Sequence, residues 1–210
     1  MLKEQARTHW PMWTLIIVTV VTTLWSMVGP HDWATWFFEF MCGWMGVALL
    51  VVTYRRFRFS SFAYLSCAFF VFVLSWGAKY TYADVPWFNW VRDTFELSRN
   101  HSDRFGHFFQ GFVSAVLTRE VIMRTTPLKR GKWLAAICIA MALAISALYE
   151  LLEMLWVFVF YPTEGAYWLG HQGDMWDAHW DMTMALLGGM VVVFIFSRLH
   201  DRTIKQVTNV

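Results

Sequence analysis

Six apolar stretches, at about 12–29, 33–53, 62–78, 105–122, 133–161 and 177–197, take up most of the chain. Each is near the roughly 17–25 residues that carry a helix across bilayer hydrocarbon, the fifth being longer. Open strands are excluded at that depth because their backbone N–H and C=O groups would stay unpaired. Composition agrees: 15% of the residues are charged, where a soluble domain carries about 25%. The expected fold is all-α, a polytopic bundle of six transmembrane helices, read as a single integral membrane domain over residues 1–210.

The positions of the basic residues orient such a bundle. Lys3, Arg7, Arg55, Arg56, Arg58, Arg119, Arg124, Lys129, Arg130, Lys132, Arg198, Arg202 and Lys205 sit at the chain ends or in alternate loops. Only Lys79, Arg92, Arg99 and Arg104 fall on the other side. By the positive-inside rule both termini are cytoplasmic, and residues 79–104 and 162–176 lie outside. These charges are membrane flanks; a nucleic-acid partner would need one basic face, so none is expected. Lys3 and Arg7 also precede the first apolar run as they would in a signal peptide. That run is too long and lacks a small-x-small cleavage site, so a retained hairpin through Gly29-Pro30-His31-Asp32 is expected. Cys42, Cys67 and Cys138 lie in three different apolar runs without a CxxC pair, and read as small buried hydrophobes.

Against this apolar background the polar residues stand out. Asp103, His107, Gln110 and Ser114 recur at spacings of four, three and four, one stripe of a helix. Glu150 and Glu153 lie three apart near the outer end of the fifth run, about 16 and 12 Å inside Tyr161 at 1.5 Å per residue. Asp174, Asp177 and Asp181 follow at helical spacing, and Glu39 is a further embedded acid. A carboxylate facing lipid costs roughly 2.5–3.5 kcal/mol on insertion scales, so these groups must converge on water, a cation or each other. Ala136, Ala140, Ala144 and Ala147 step along one side of the fifth run and predict close packing in the middle of the bundle. Asp84 and Pro86 open a short amphipathic helix, with Trp87, Trp90, Val91 and Phe95 on one face and Asn89, Arg92, Asp93 and Glu96 opposite. It reads as an aromatic anchor on the outer membrane surface or as a lid. Arg119-Glu120 falls near the cytoplasmic interface, where the arginine can snorkel.

An oxygen-rich set with one histidine suits Mg²⁺, Mn²⁺ or Ca²⁺ better than Zn²⁺. The metal-ligating candidates are Glu153, Asp174, Asp177 and Asp181. The candidates for moving a proton are His107, oriented by Asp103, and Glu150. Asp174-x-x-Asp177-x-x-x-Asp181 also resembles the aspartate-rich motif with which membrane prenyltransferases hold Mg²⁺ and a diphosphate. His171, in a loop, and His179, off the Asp177–Asp181 face, are weaker candidates. No nucleophile motif, phosphate-cradling glycine loop or HExxH is present.

Longer motifs carry a family resemblance. Tyr80-Thr81-Tyr82-Ala83-Asp84-Val85-Pro86, the run Arg99–Phe112, Ser146-Ala147-Leu148-Tyr149-Glu150-Leu151-Leu152-Glu153, and Gln172-Gly173-Asp174-Met175-Trp176-Asp177 with Asp181-Met182 resemble the YjdF-like family of bacterial inner-membrane proteins. His171, where the family pattern has threonine, and His179, where it has glutamine, depart from it. Asp103-x-x-x-His107-Phe108, a later glutamate and aspartates before Gly188 are more distantly similar to VanZ-like envelope proteins. The resemblance implies residence in the bacterial inner membrane and a shared membrane fold, and transfers no reaction. Two functions fit the residues. One is a divalent-metal-dependent enzyme acting on an anionic or phosphate-bearing envelope lipid. The other is a cation- or proton-coupled carrier using the same carboxylates. A third reading makes the cluster a purely structural set of helix-pinning bonds.

Overall fold

The computed structural model describes residues 9–163, 165 and 169–208; Lys3, Arg7 and the loop residues Glu164, Ala166, Tyr167 and Trp168 lie outside them. Regular structure among the described residues is helical: α1 (Trp10–Ser26), α2 (Trp33–Thr53), α3 (Ser61–Tyr80), α4 (Pro86–Thr94), α5 (Ser102–Thr125), α6 (Lys132–Phe160), α7 (Asp177–Val191) and α8 (Ser197–Thr208). Short 3₁₀ turns fall at Tyr82–Asp84 and His171–Gly173. A wide π-type stretch, Val192–Phe196, leads from α7 into α8. The all-helical membrane bundle read from the apolar runs is what the chain forms. By length and composition α2, α3, α6 and the helix Asp177–Thr208 can cross a membrane, while α1 is apolar but only 17 residues long.

The described residues group into two compact units, those up to Thr81 together with those from Ile195 onward, and those from Tyr82 to Phe194. In the first, α3 packs against α1, α2 and α8. Ser60 and Asp32 start α3 and α2 by accepting the Ala63 and Thr35 N–H groups at 3.3 and 2.6 Å, which satisfies donors that every helix start leaves open. The indole N–H groups of Trp36 and Trp44 donate to Ser26 Oγ and Thr23 Oγ1 at 3.0 and 3.2 Å. Those hydroxyls give the tryptophans a partner that hydrocarbon cannot. Gly29, at φ +66°, makes the turn from α1 to α2 in a conformation that a side chain rarely tolerates. Glu39 is buried in this unit.

The second unit contains the candidate site, and glycine determines how closely its helices approach. A Cβ on Gly111 would fall 2.0 Å from the Ala185 carbonyl oxygen, and one on Gly188 2.0 Å from that of Phe108. Thus α5 and α7 touch backbone to backbone, running in the same direction with Asp103 and Asp177 in their first turns. Acids there are favoured by the positive end of the helix dipole. Helix α6 packs against both, turning Leu134, Cys138, Ala142 and Ser146 inward.

Three local expectations are corrected. Ala136, Ala140 and Ala144 are exposed and Ala147 half-buried, because the four-residue spacing from Leu134 to Ser146 defines the packed face instead. Asp84 does not cap α4: it is held in the 3₁₀ turn, and extended Val85 precedes Pro86. Arg119 does not snorkel, being buried beside Glu120, whose carboxylate accepts from Arg124 Nη1 at 2.7 Å.

Candidate functional site

The site is assembled where α5 and α7 begin and α6 nears its end. Asp103 and His107, one turn apart on α5, face each other with Oδ1 and Nε2 3.6 Å apart. Glu150 Oε1 approaches the same Nε2 to 3.5 Å from α6. On the far side of the ring, Nδ1 lies 3.4 Å from Ser146 Oγ, which is wholly buried. A proton on Nδ1 directed to that hydroxyl leaves Nε2 with its lone pair. Asp181, one turn into α7, is 2% exposed. Among the described residues its Oδ1 meets no hydrogen-bond partner. Ligand-type atoms of Asp103, His107 and Asp181 all lie within 4.8 Å of one another.

A second grouping shares Asp103. Its other oxygen, Oδ2, lies 3.2 Å from His171 Nδ1, and Asp177 Oδ2 lies 4.0 Å from the same nitrogen. Asp103, His171 and Asp177 also offer ligand atoms within 4.8 Å of one another. Burial opposes a charged His171 imidazole, but the bond to Asp103 and the negative charges of Asp103 and Asp177 outweigh it and raise its pKa.

Two arginines close the cluster. Arg99 Nη1 donates to Asp177 Oδ1 at 2.5 Å and to Asp174 Oδ2 at 3.2 Å. Arg104 Nη2 reaches the same Asp174 oxygen at 2.6 Å, and its guanidinium carbon lies 5.2 Å from the centre of the Trp180 ring. The Trp176 N–H bond and then both guanidinium charges hold Asp174 below the usual carboxylate range. Burial disfavours the Arg99 charge, but Asp177, Asp103 and Asp181 more than compensate, and its pKa is raised. Arg99 Nε and Nη2 and Arg104 Nε remain buried without hydrogen-bond partners among the described residues.

Asn100 holds the loops in place around these groups. Its N–H donates to Gln172 Oε1 at 2.9 Å, and Gln172 Nε2 donates back to the Asn100 carbonyl at 3.0 Å. Its side-chain amide donates to Val85 O at 3.1 Å and Asn89 Oδ1 at 2.8 Å, while its Oδ1 accepts from Ser102 N at 3.0 Å.

The structure thus places Asp103, His107 and Asp181 together, joins Glu150 to His107, and joins Asp177 to Asp103 through His171. Asp174 stands in neither ligand grouping and is held between two guanidinium groups. Glu153, one turn beyond Glu150, is half-buried and an electrostatic neighbour of Asp181. Glu39 belongs to the first unit. Sequence reasoning missed Arg99 and set His171 aside. A signal for Arg99 existed, since it is one of four basic residues on the sparse side of the charge bias. His179 is exposed, its ring edge-on to Trp176.

Fold and site together define a multi-pass helical membrane protein with an enclosed cluster of acids, histidines and arginines. Residues 11–202 match the family of predicted membrane proteins designated DUF2238, and the chain belongs to that family. It is similar to the inner membrane protein YjdF of Escherichia coli (strain K12), with 36% identity over 194 residues, 92% of each chain. No solved structure matches.

Proposed function

We propose that the chain is an inner-membrane enzyme that uses a divalent cation to act on an anionic, phosphate-bearing lipid of the envelope. The observation that carries this reading is Asp181: a carboxylate 2% exposed, with Oδ1 unpartnered among the described residues, beside Asp103 and His107. Distances favour an ion over direct bonding. His107 Nε2 stands 3.5–3.6 Å from two carboxylate oxygens, beyond the usual 2.7–3.2 Å of a hydrogen bond. Two ligands of one ion bound at 2.0–2.4 Å stand about 2.8–3.4 Å apart at right angles and about 3.3–3.9 Å apart at the tetrahedral angle, so the observed separations suit a shared ion. A hard divalent ion supplies Lewis acidity to a phosphoryl oxygen or makes a bound water a nucleophile at neutral pH. Asp103, His107 and Asp181 would hold it, with Glu150 on the same Nε2 side of the imidazole to accept a proton. The buried, unpartnered nitrogens of Arg99 and Arg104 support an anionic ligand, to which a guanidinium edge donates in parallel.

Six crossings fit this reading, with both termini cytoplasmic and the cluster opening outward. Helix α1 is at the short limit of span length, and α5, at 24 residues, is about 36 Å long. Of its charged residues, Asp103, Arg119 and Glu120 are buried in the protein and Arg104 and Arg124 sit in its first and last turns, so they do not bar it from hydrocarbon. Helix α4 would lie at the outer interface with Trp87, Trp90 and Phe95 exposed on it.

A carrier is favoured by one contact, Glu150 with His107, because protonatable groups on neighbouring helices can pass a cation or proton between them. One experiment separates the readings: metal analysis and lipid mass spectrometry on protein purified in mild detergent, repeated with Asp181→Asn. The enzyme reading expects a divalent metal that the variant loses and a co-purifying phosphate-bearing lipid. Cation flux in proteoliposomes, abolished by Glu150→Gln, would replace it with the carrier. Neither metal nor flux, with both variants only lowering the melting temperature, leaves a structural cluster.

A further inference from the structure

The two ligand groupings share one residue, and they share it through different oxygens. Asp103 Oδ1 faces His107 Nε2, and Asp103 Oδ2 faces His171 Nδ1. Asp181 completes the first grouping from α7, and Asp177, one turn earlier on the same helix, completes the second. Each side therefore offers one imidazole nitrogen, one private aspartate and one oxygen of a common carboxylate. A carboxylate that turns its two oxygens to two ligand sets is the bridge found between paired metal ions about 3.5–4 Å apart.

Resting on the metal-dependent reading above, we infer that the site takes two divalent cations, bridged by Asp103, with His107 and Asp181 on one ion and His171 and Asp177 on the other.

Burial points the same way: Asp103, Asp177 and Asp181 are all buried, and a cation beside them offsets the cost of keeping carboxylates out of water. Arg99 does not block the second ion, because it takes Asp177 Oδ1 and leaves Oδ2 turned toward His171. Mg²⁺ and Mn²⁺ fit a set of carboxylate oxygens with one imidazole each, completed by water or a phosphate oxygen. A phosphate group reaching both ions would lie beside Nε and Nη2 of Arg99 and Nε of Arg104, which have no partner among the described residues.

The test is the stoichiometry of Mn²⁺ binding to the full-length protein in detergent, by titration calorimetry and electron paramagnetic resonance. Wild type should bind two Mn²⁺ per chain and show an exchange-coupled spectrum. His171→Ala and, separately, Asp181→Asn should each bind one and lose the coupling while keeping the wild-type elution profile. His171 is suited to this because its side chain is 27% exposed and its removal leaves no cavity in a core. One Mn²⁺ per chain in wild type, or two that survive His171→Ala, would overturn the paired site and leave the single-ion reading standing. No Mn²⁺ bound by wild type would remove both.

Discussion

At the residue scale Asn100 ties together the loops of the second unit. Five hydrogen bonds from this wholly buried residue tie α4, the 171–173 turn and the start of α5 together. Its side chain must both donate and accept, which a carboxylate of the same shape cannot do. Asn100→Asp should therefore destabilise the protein nearly as much as Asn100→Ala, by roughly 1–3 kcal/mol for each buried partner left unsatisfied. Thermal melting in detergent checks this, and an Asp variant that melts like wild type would refute the role. Removing the histidine's support is a subtler change. Ser146→Ala should leave melting within about 1 kcal/mol and weaken Mn²⁺ binding on the order of 10–100-fold, as loss of an outer-shell partner does. Unchanged affinity would mean Ser146 does not orient His107. The Asp103–His107 pair was readable from the sequence because a four-residue spacing on a helix is a contact rule in itself. Arg99 and His171 were not, since their partners stand 68–78 residues away across turns that carry no period.

At the element scale the decisive contacts are those of Gly111 and Gly188. A methyl group at either would meet a carbonyl oxygen of the facing backbone, which cannot yield as a side-chain tip can. Gly188→Ala should cost about 1–3 kcal/mol or more through overpacking, whereas Gly46→Ala, inside α2 where nothing lies within 4 Å, should melt no lower than wild type, since alanine is the better helix former. Equal melting of both variants would contradict the backbone contact. Sequence reasoning placed the small-residue face of α6 on its alanines. Alanine favours helix whether or not it packs, so the Ala136–Ala147 series carried no information about direction. Leu134, Cys138, Ala142 and Ser146 differ in chemistry and hid the face that is buried. The amphipathic pattern of α4 was legible because charge and aromatic residues separate cleanly around it, and Trp87, Trp90 and Phe95 are indeed exposed.

For the whole molecule, the apolar runs determine the class of fold, and the charge bias supplies a testable orientation. Ser98→Cys and Thr163→Cys, both at exposed positions, should react with an impermeant thiol reagent from the periplasmic side of spheroplasts. Cys67 and Cys138 are buried and Cys42 half-buried, so background labelling should be low. Reaction only in inverted vesicles would reverse the orientation and put the cluster at the cytoplasmic face. Under the six-crossing proposal, helix α5 would be the span that hydropathy alone undervalues, because Asp103, His107, Arg119 and Glu120 are buried in the protein.

The backbone contact between α5 and α7 also restricts how this protein could work. Asp103 and Asp181 ride on a pair of helices with no side-chain layer between them to act as a bearing, so neither can slide past the other without separating. Glu150 rides on α6, which meets α7 nearby through the Ala142 side chain instead. A working stroke would consequently open the gap between His107 and Glu150 while the distance between Asp103 and Asp181 stays constant. Pulsed spin-label distances along those two vectors would show whether the molecule has a moving part at all.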